Sequence, residues 1–285
     1  MFTIVGYVIV LGAVIGGFLL EGGPIGILNQ TIEFLIIGGA ATGSLLAGTP
    51  TKVLGSLGAS LKLAIGGSGY SKTDYMDLFN MLYEVFSVMR KSGEMALEKE
   101  VDDPANSEIF KKYPKFLANH AAKGLMLDSL RLVVSGSASA DELSHLMDEE
   151  IATHEEEGRR PTGVLGKTAD ALPGLGIVAA VLGVIIAMGA MDQGPEVIGH
   201  KIAAALVGTF LGILLCYGIL QPLVQKMELL LIEEAKYLEC IKTGILAYLH
   251  GAAPIIAVEY ARRVVFSTER PSALELEEAC RGKKE

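Results

Sequence analysis

The sequence predicts an all-α membrane protein with four transmembrane helices and a helical cytoplasmic domain. Two uncharged runs, residues 172–191 and 202–224, are joined by a short polar turn. Each run can cross roughly 30 Å of hydrocarbon at about 1.5 Å per helical residue, so together they predict a transmembrane hairpin. The chain is 51% hydrophobic but also holds 24 basic and 33 acidic residues, which means that apolar and polar segments are separated along it.

Two further spans are predicted near the start of the chain. Residues 1–20 carry no charge and lack both the basic leader and the cleavage pattern of a removable signal peptide, so we expect them to be retained. Residues 32–48 form a weaker span that includes Glu33. A carboxylate in a membrane run is a candidate functional group. Because Glu33 lies near the start of its span, we expect its side chain to reach the headgroup region instead.

The basic residues predict the topology. The region 51–171 holds 14 lysines and arginines and the region from residue 225 holds 9, which leaves only Lys201 for the other side. We therefore expect transmembrane helices 1 and 2 in residues 1–50, a cytoplasmic helical domain in 51–171, transmembrane helices 3 and 4 in 172–224, and a cytoplasmic helical tail in 225–285. Both termini are expected in the cytoplasm.

The polar insert 51–171 has the residue pattern of a helical domain. Apolar residues recur at helical spacing from Leu78 to Met89 and from Leu143 to Ile151. Three breaks are predicted, at residues 102–104, 113–114 and 135–137, because they contain proline, glycine and other turn-forming residues. Residues 141–157 predict an acidic helix with a solvated polar face.

Neither a catalytic motif nor a metal site is predicted. Pro161 stands where a phosphate-binding loop ending in Gly166-Lys167-Thr168 would need its first glycine, and no strand precedes it. The three cysteines lie far apart, so they predict neither a disulfide framework nor a metal centre. A net charge of −9 argues against nucleic-acid binding. We therefore expect a protein that is not an enzyme and has no cofactor.

Small residues and prolines shape the predicted hairpin. Gly208 and Gly212 form a GxxxG step that permits close helix packing, either within one subunit or against other chains. Pro173 sits where a first helical turn tolerates proline. Pro222 lies inside the apolar run, where its missing N–H leaves the Gly218 carbonyl without its usual partner, and a bend is predicted there.

The hairpin contains polar groups, Thr209 and Tyr217, but neither of its apolar runs contains Asp, Glu, Lys or His. Proton relays through membranes normally use an ionisable side chain. If this chain moves protons, we therefore expect another chain to supply the carboxylate. Thr209 either contributes a hydroxyl to such a path or bonds back to the Ala205 carbonyl.

Several motifs together resemble the MotA family of flagellar motor stator subunits. They are residues 147–155 (MDEEIATHE), 172–180 (LPGLGIVAA), 207–215 (VGTFLGILL), 257–262 (AVEYAR) and 267–272 (STERPS). The resemblance covers nearly the whole chain. It implies a multi-pass protein of the bacterial inner membrane that, with MotB, couples proton flow to torque in motility and chemotaxis.

The resemblance also implies partners and site residues. A ring of subunits, thought to be five, would surround a MotB dimer whose helix supplies the ion-binding aspartate. Arg90 and Glu98 match the charged pair that engages the rotor protein FliG, and a continuous helix would set them about 80° apart. Sodium-driven relatives carry threonine at the position of Ala180, so this chain is expected to conduct protons.

The remaining expected sites follow from the same resemblance. Thr209, Ala180 and Tyr217 are expected along the ion pathway, and Pro173 and Pro222 match prolines linked to the conformational cycle. Two alternatives stay open. One is an ExbB/TolQ-type energiser, although such relatives usually have three spans. The other is a passive membrane scaffold whose helices only bind partners.

Overall fold

The computed structural model describes residues 2–67 and 69–281, and within these ranges the chain forms helices and turns but no β-strand. This confirms the all-α prediction. The chain divides into two compact units. We call residues 1–68 and 158–229 the apolar unit, and residues 69–157 and 230–285 the polar unit.

The four predicted apolar helices are all present. Each is long and apolar enough to cross a membrane. The helices that contribute to the apolar unit are α1 (Phe2–Leu20), α2 (Ile25–Leu28), α3 (Thr31–Gly48), α4 (Thr51–Gly66), α9 (Ala140–Met188), α10 (Pro195–Ile213) and α11 (Gln221–Leu249). The helices α9 and α11 also contribute to the polar unit.

The helix α9 is longer than the sequence indicated. It runs for 49 residues without interruption, so the predicted acidic helix and the predicted third span are one element. Pro173 therefore lies in the helix interior, and the expectation that it occupies a first helical turn was wrong. The proline cannot donate a backbone hydrogen bond, so the Ala169 carbonyl lacks its usual helical partner.

Glycines bring the backbones of α9 and α10 into direct contact within one protomer. A Cβ atom added to Gly212 would lie 2.5 Å from the Leu172 carbonyl oxygen and 3.0 Å from the Gly176 Cα. A Cβ added to Gly183 would lie 2.5 Å from the Ala205 Cβ. Since real Cβ atoms do not approach other atoms this closely, the contact requires glycine. The GxxxG step therefore serves packing inside the subunit.

A π-helix, residues Leu214–Leu220, joins α10 to α11 directly before Pro222. The Tyr7 hydroxyl of α1 donates a hydrogen bond of 2.9 Å to the Ile219 carbonyl in this segment. The sequence predicted a bend near Pro222, and the structure shows a π-helix directly before it; the bend itself stays a prediction. Tyr7 supplies a partner to a backbone group that would otherwise face an apolar environment.

The polar unit is built from shorter helices. They are α5 (Lys72–Ser92), α6 (Glu98–Asp102), α7 (Pro114–Ala118), α8 (His120–Val134), α12 (Pro254–Val264) and α13 (Ala273–Arg281), with parts of α9 and α11. The three predicted breaks are confirmed, because α6 ends at Asp102, α7 begins at Pro114 and α8 ends at Val134. Ser71 and Asp74 cap α5 reciprocally, which fixes its start.

Aromatic pairs anchor α5 to α11 inside the polar unit. The rings of Phe86 and Tyr248 stack with centroids 4.9 Å apart, and the rings of Tyr75 and Tyr237 lie with centroids 5.7 Å apart. Phe79 and Phe86 are fully buried. Buried aromatic rings supply large apolar contact areas, so this core holds the end of α5 in a defined position.

The glycine contact leads to the first testable prediction. We expect Gly212→Ala to lower the free energy of unfolding by about 1–3 kcal/mol, because the added methyl group must push α9 and α10 apart. The matched control is Gly199→Ala, on the same helix, where nothing lies within 4 Å of an added Cβ. Thermal unfolding of the purified full-length protein in detergent measures both. Equal stability of the two variants would show that Gly212 is not needed for the close packing of α9 against α10.

The Tyr7 contact leads to the second prediction. We expect Tyr7→Phe to destabilise the protein by about 1–3 kcal/mol, because it leaves the Ile219 carbonyl without its side-chain donor. Tyr260→Phe serves as the control, since the Tyr260 side chain is 56% exposed. The measurement is again the unfolding midpoint in detergent. A loss of the same size in both variants would show that the hydrogen bond contributes nothing specific.

Candidate functional site

The contact between α9 and α10 brings Ala180 and Thr209 to the same place. If Gly208 carried a Cβ atom, that atom would lie 3.5 Å from the Ala180 backbone nitrogen. A Cβ atom on Gly176 would lie 3.3 Å from the Thr209 Cα. Both residues are half-buried in the protomer. Two of the three residues expected along the ion pathway are therefore neighbours, since small residues let their helices touch.

The Thr209 hydroxyl is available for other partners. In the part of the chain that the structure describes, it makes no bond to the Ala205 carbonyl, whereas Thr162 and Thr168 each donate to the carbonyl four residues earlier. Of the two alternatives that the sequence left open for Thr209, the structure thus favours a free hydroxyl.

Tyr217, the third residue expected along the pathway, lies elsewhere. It belongs to the π-helix, and its side chain is 66% exposed in the protomer. Pro222 is the second residue of α11, directly after that π-helix, while Pro173 interrupts the hydrogen bonding of α9 near Gly176. The two prolines therefore mark the same end of the paired helices. Irregular hydrogen bonding at both positions gives this end fewer fixed backbone contacts than a regular helix has.

Glu33 is a polar group of this site that sequence reasoning assigned elsewhere. Instead of reaching outwards, its side chain is buried, with 8% of the residue exposed. Its Oε2 atom lies 3.0 Å from the position of a Cβ on Gly208, next to Ala179 and Ala180. The carboxylate of Glu33 inside an apolar run was the sequence signal that could have indicated a functional role. The sequence alone did not reveal that α3 packs against Gly208.

Arg90 and Glu98 do not lie on one continuous helix, so the 80° estimate does not apply. The helix α5 ends at Ser92, Gly93 adopts φ +82°, a 3₁₀ turn (Glu94–Leu97) follows, and Glu98 begins α6. Glycine suits this position because other residues rarely adopt positive φ. Both charged side chains are exposed on either side of the turn.

Each of these two charges lines its own cleft in the polar unit. Arg90 borders a cleft of about 190 Å³ together with Glu94 and Tyr248. Glu98 borders a cleft of about 460 Å³ together with Met95 and Arg131. Met95 lies between the two charges in the sequence and is 74% exposed. The surface thus presents a cation, an apolar side chain and an anion in succession around one turn.

The acidic part of α9 contains a half-buried charge contact. The His154 Nε2 atom lies 3.4 Å from the Glu234 Oε2 atom, without the alignment of a good hydrogen bond. This contact raises the pKa of the His154 imidazole, while burial raises the pKa of the Glu150 carboxyl. No group of three or more His, Cys, Asp or Glu side chains within the described ranges is arranged to hold a metal ion.

Two family profiles match this chain. One, described as motility protein A N-terminal, matches residues 4–93. The other, described as the MotA/TolQ/ExbB proton channel family, matches residues 115–239. Together the matched regions include α3, Arg90, the acidic part of α9 and the hairpin that carries Ala180 and Thr209.

Relatives and solved structures agree with these profiles. Motility protein A of Escherichia coli strain K12 is 43% identical over 284 residues, which cover 100% of this chain and 96% of the relative. The flagellar MotAB stator complex of Bacillus subtilis matches with a TM-score of 0.75 at 25% identity, over 90% of this chain and 92% of that one.

A MotAB structure from C. jejuni has the same fold, with a TM-score of 0.79 at 22% identity over 95% of this chain and 98% of that one. Similarity over the full length includes both units and all four apolar helices. The chain therefore belongs to the motility protein A family, within the MotA/TolQ/ExbB proton channel family.

Proposed function

We propose that this chain is a stator subunit of the bacterial flagellar motor, where it forms a proton channel with MotB and converts proton flow into torque. The observation that carries the proposal is the 43% identity with motility protein A of Escherichia coli across the whole chain. The similarity to a flagellar MotAB stator complex supports the same function and the partnership with MotB. The protein works in the bacterial inner membrane, with both termini and the polar unit in the cytoplasm.

The paired helices are the part of the chain that faces the proton path. Residues 172–188 of α9 and 202–213 of α10 include no ionisable side chain, so the carboxylate that carries the ion comes from the MotB helix. Thr209 offers a hydroxyl next in sequence to Gly208, which lies against Ala180, and Tyr217 extends the path along the π-helix. Ala180 has no oxygen ligand for a dehydrated sodium ion, which favours protons.

Exposed apolar side chains support assembly with other chains. Ile177, Val181 and Ile185 recur every four residues on α9 and are 52–61% exposed in the protomer. A stripe of this kind is covered by lipid or by other helices in a membrane. It fits a ring of subunits, five by resemblance, that surrounds a MotB dimer.

The prolines and the π-helix provide a place for conformational coupling. Protonation of the MotB aspartate removes its charge and so changes the cost of keeping that group in a dry site. The surrounding helices respond where their backbone bonding is irregular, at Pro173 and at the π-helix before Pro222. Alternation between the two protonation states drives stepwise rotation of the ring.

The polar unit transmits each step to the rotor. Arg90 and Glu98 are exposed on both sides of the Gly93 turn, and the buried aromatic contacts of α5 hold that turn in place. A cation and an anion on a rigid surface suit recognition by complementary charges on FliG. The two charges act on the rotor and have no part in proton conduction.

The function is tested by swimming. A flagellated strain that lacks its stator genes should swim in sodium-free medium when it expresses this chain with its cognate partner, because Ala180 favours protons over sodium. The partner expressed alone is the control. Swimming that returns only with sodium would contradict the argument from Ala180. If neither medium restores swimming despite membrane expression and a compatible rotor, an ExbB/TolQ-type energiser becomes the better assignment.

The rotor contact is tested by charge reversal. We expect Arg90→Glu and Glu98→Lys each to reduce motor torque severalfold, since each places a like charge against the rotor, while the protein stays in the membrane. Lys111→Glu reverses another exposed cation of the polar unit and serves as the control. Torque is measured on tethered cells at equal membrane levels. Unchanged torque in both variants would refute the assigned role.

A further inference from the structure

The carboxyl group of Glu33 is a buried polar group of the apolar unit that neither the packing nor the proposed function uses. It lies in the first turn of α3, and 8% of the residue is exposed. Its Oε2 atom is fully buried and has no hydrogen-bond partner among the described residues. Buried polar atoms in proteins are nearly always paired, so an unpaired carboxyl oxygen in an apolar helix calls for an explanation.

The carboxyl group occupies the space that Gly208 leaves open. A Cβ on Gly208 would lie 3.0 Å from the Glu33 Oε2 atom and 3.1 Å from the Ala179 Cβ. The same position is 3.5 Å from the Ala180 backbone nitrogen. Thr209 follows Gly208 directly, so Glu33 lies at the level of both residues assigned to the proton path.

No charge of the opposite sign faces Glu33 from the helices packed against it. The membrane parts of those helices, residues 172–188 of α9 and 202–213 of α10, contain no Lys, Arg or His. The nearest basic residue on α10, Lys201, lies seven residues and roughly 10 Å along the helix from Gly208, and among the described residues its side chain forms no ion pair with Glu33. The negative charge of an ionised Glu33 would stay unpaired.

An unpaired charge in such surroundings is costly, whereas a neutral carboxyl group is tolerated and can donate one hydrogen bond. Proton binding removes the charge without any change in packing. The position therefore selects a proton as its ligand, because it offers one carboxyl group and no set of oxygen ligands for a larger cation.

From this geometry we propose that Glu33 is a second proton-binding site, carried by this chain itself beside the path at Ala180 and Thr209. The inference rests on the proposed function for its role in conduction. A hydronium ion in the path gives its proton to the Glu33 carboxylate and leaves as water, and the reverse step returns the proton to water. Glu33 thus holds a proton next to the path between two transfers.

Infrared spectroscopy tests proton binding separately from motor function. The purified complex of the full chain with its partner is measured at about pH 7, above the ordinary range of carboxyl titration. We expect a band of protonated carboxyl groups that is smaller in Glu33→Gln than in the wild type. The control Glu21→Gln removes an exposed carboxylate outside the apolar helices and should leave the band unchanged. A band that is identical in wild type and Glu33→Gln would overturn the proposal.

Proton flux tests the role of the site in conduction. In proteoliposomes with equal amounts of assembled complex, we expect Glu33→Gln to conduct severalfold fewer protons than wild type, and Glu21→Gln to conduct equally. Glu33→Asp keeps a titratable carboxyl group on a shorter side chain, and we expect it to conduct more than Glu33→Gln. If Glu33→Gln does not assemble, Glu33→Asp is compared with wild type: a change in the position or size of the band assigns it to residue 33, and an identical band contradicts proton binding at this position.

The outcomes separate the two proposals. A wild-type complex that conducts no protons would contradict the proposed function, while the infrared band would still decide whether Glu33 binds a proton. A conducting wild type together with an equally conducting Glu33→Gln would refute the role of Glu33 alone.

Discussion

The contact between the backbones of α9 and α10 is the constraint on which the rest of the apolar unit depends. At Gly212 no side chain separates the two helices, because a single added carbon would lie 2.5 Å from the Leu172 carbonyl oxygen. Lipid tails are as apolar as leucine, so burial of apolar surface does little to hold helices together in a membrane, and close packing takes over. The same small residues leave the space at Gly208 into which the Glu33 carboxyl group fits.

Polar groups in the apolar unit differ in whether they have a hydrogen-bond partner. The backbone of the π-helix is irregular, and the Tyr7 hydroxyl gives one of its carbonyls a partner. This follows the rule that backbone groups without water must be satisfied inside the protein. The Glu33 carboxyl oxygen has no partner of this kind. The Tyr7 hydroxyl is therefore a structural group, because it already has a hydrogen-bond partner. The Glu33 carboxyl oxygen has none, and for this reason we propose Glu33 as the proton-binding group.

The polar unit has a well-packed aromatic core, and its helix α5 ends abruptly at Gly93. Stacked aromatic rings hold α5 against α11, and the helix then stops at Gly93, whose positive φ turns the chain. Arg90 and Glu98 fall on opposite sides of that stop and border separate clefts. Charges held on a well-packed element suit an interaction that must transmit force, because a flexible support would dissipate each step.

The sequence by itself determined the helical class, the four apolar helices and the breaks at Asp102, Pro114 and Val134, because these follow from local composition and from residues that stop helices. It did not determine that α9 continues through Pro173, since local rules favour a helix start at proline, whereas the folded helix holds this proline in its interior at the cost of one backbone hydrogen bond. Nor did it determine the surroundings of Glu33. Whether a carboxylate near the start of an apolar helix faces outwards or is buried depends on which helix lies beside it. Tertiary structure alone decided that, by placing α3 against the glycine at position 208.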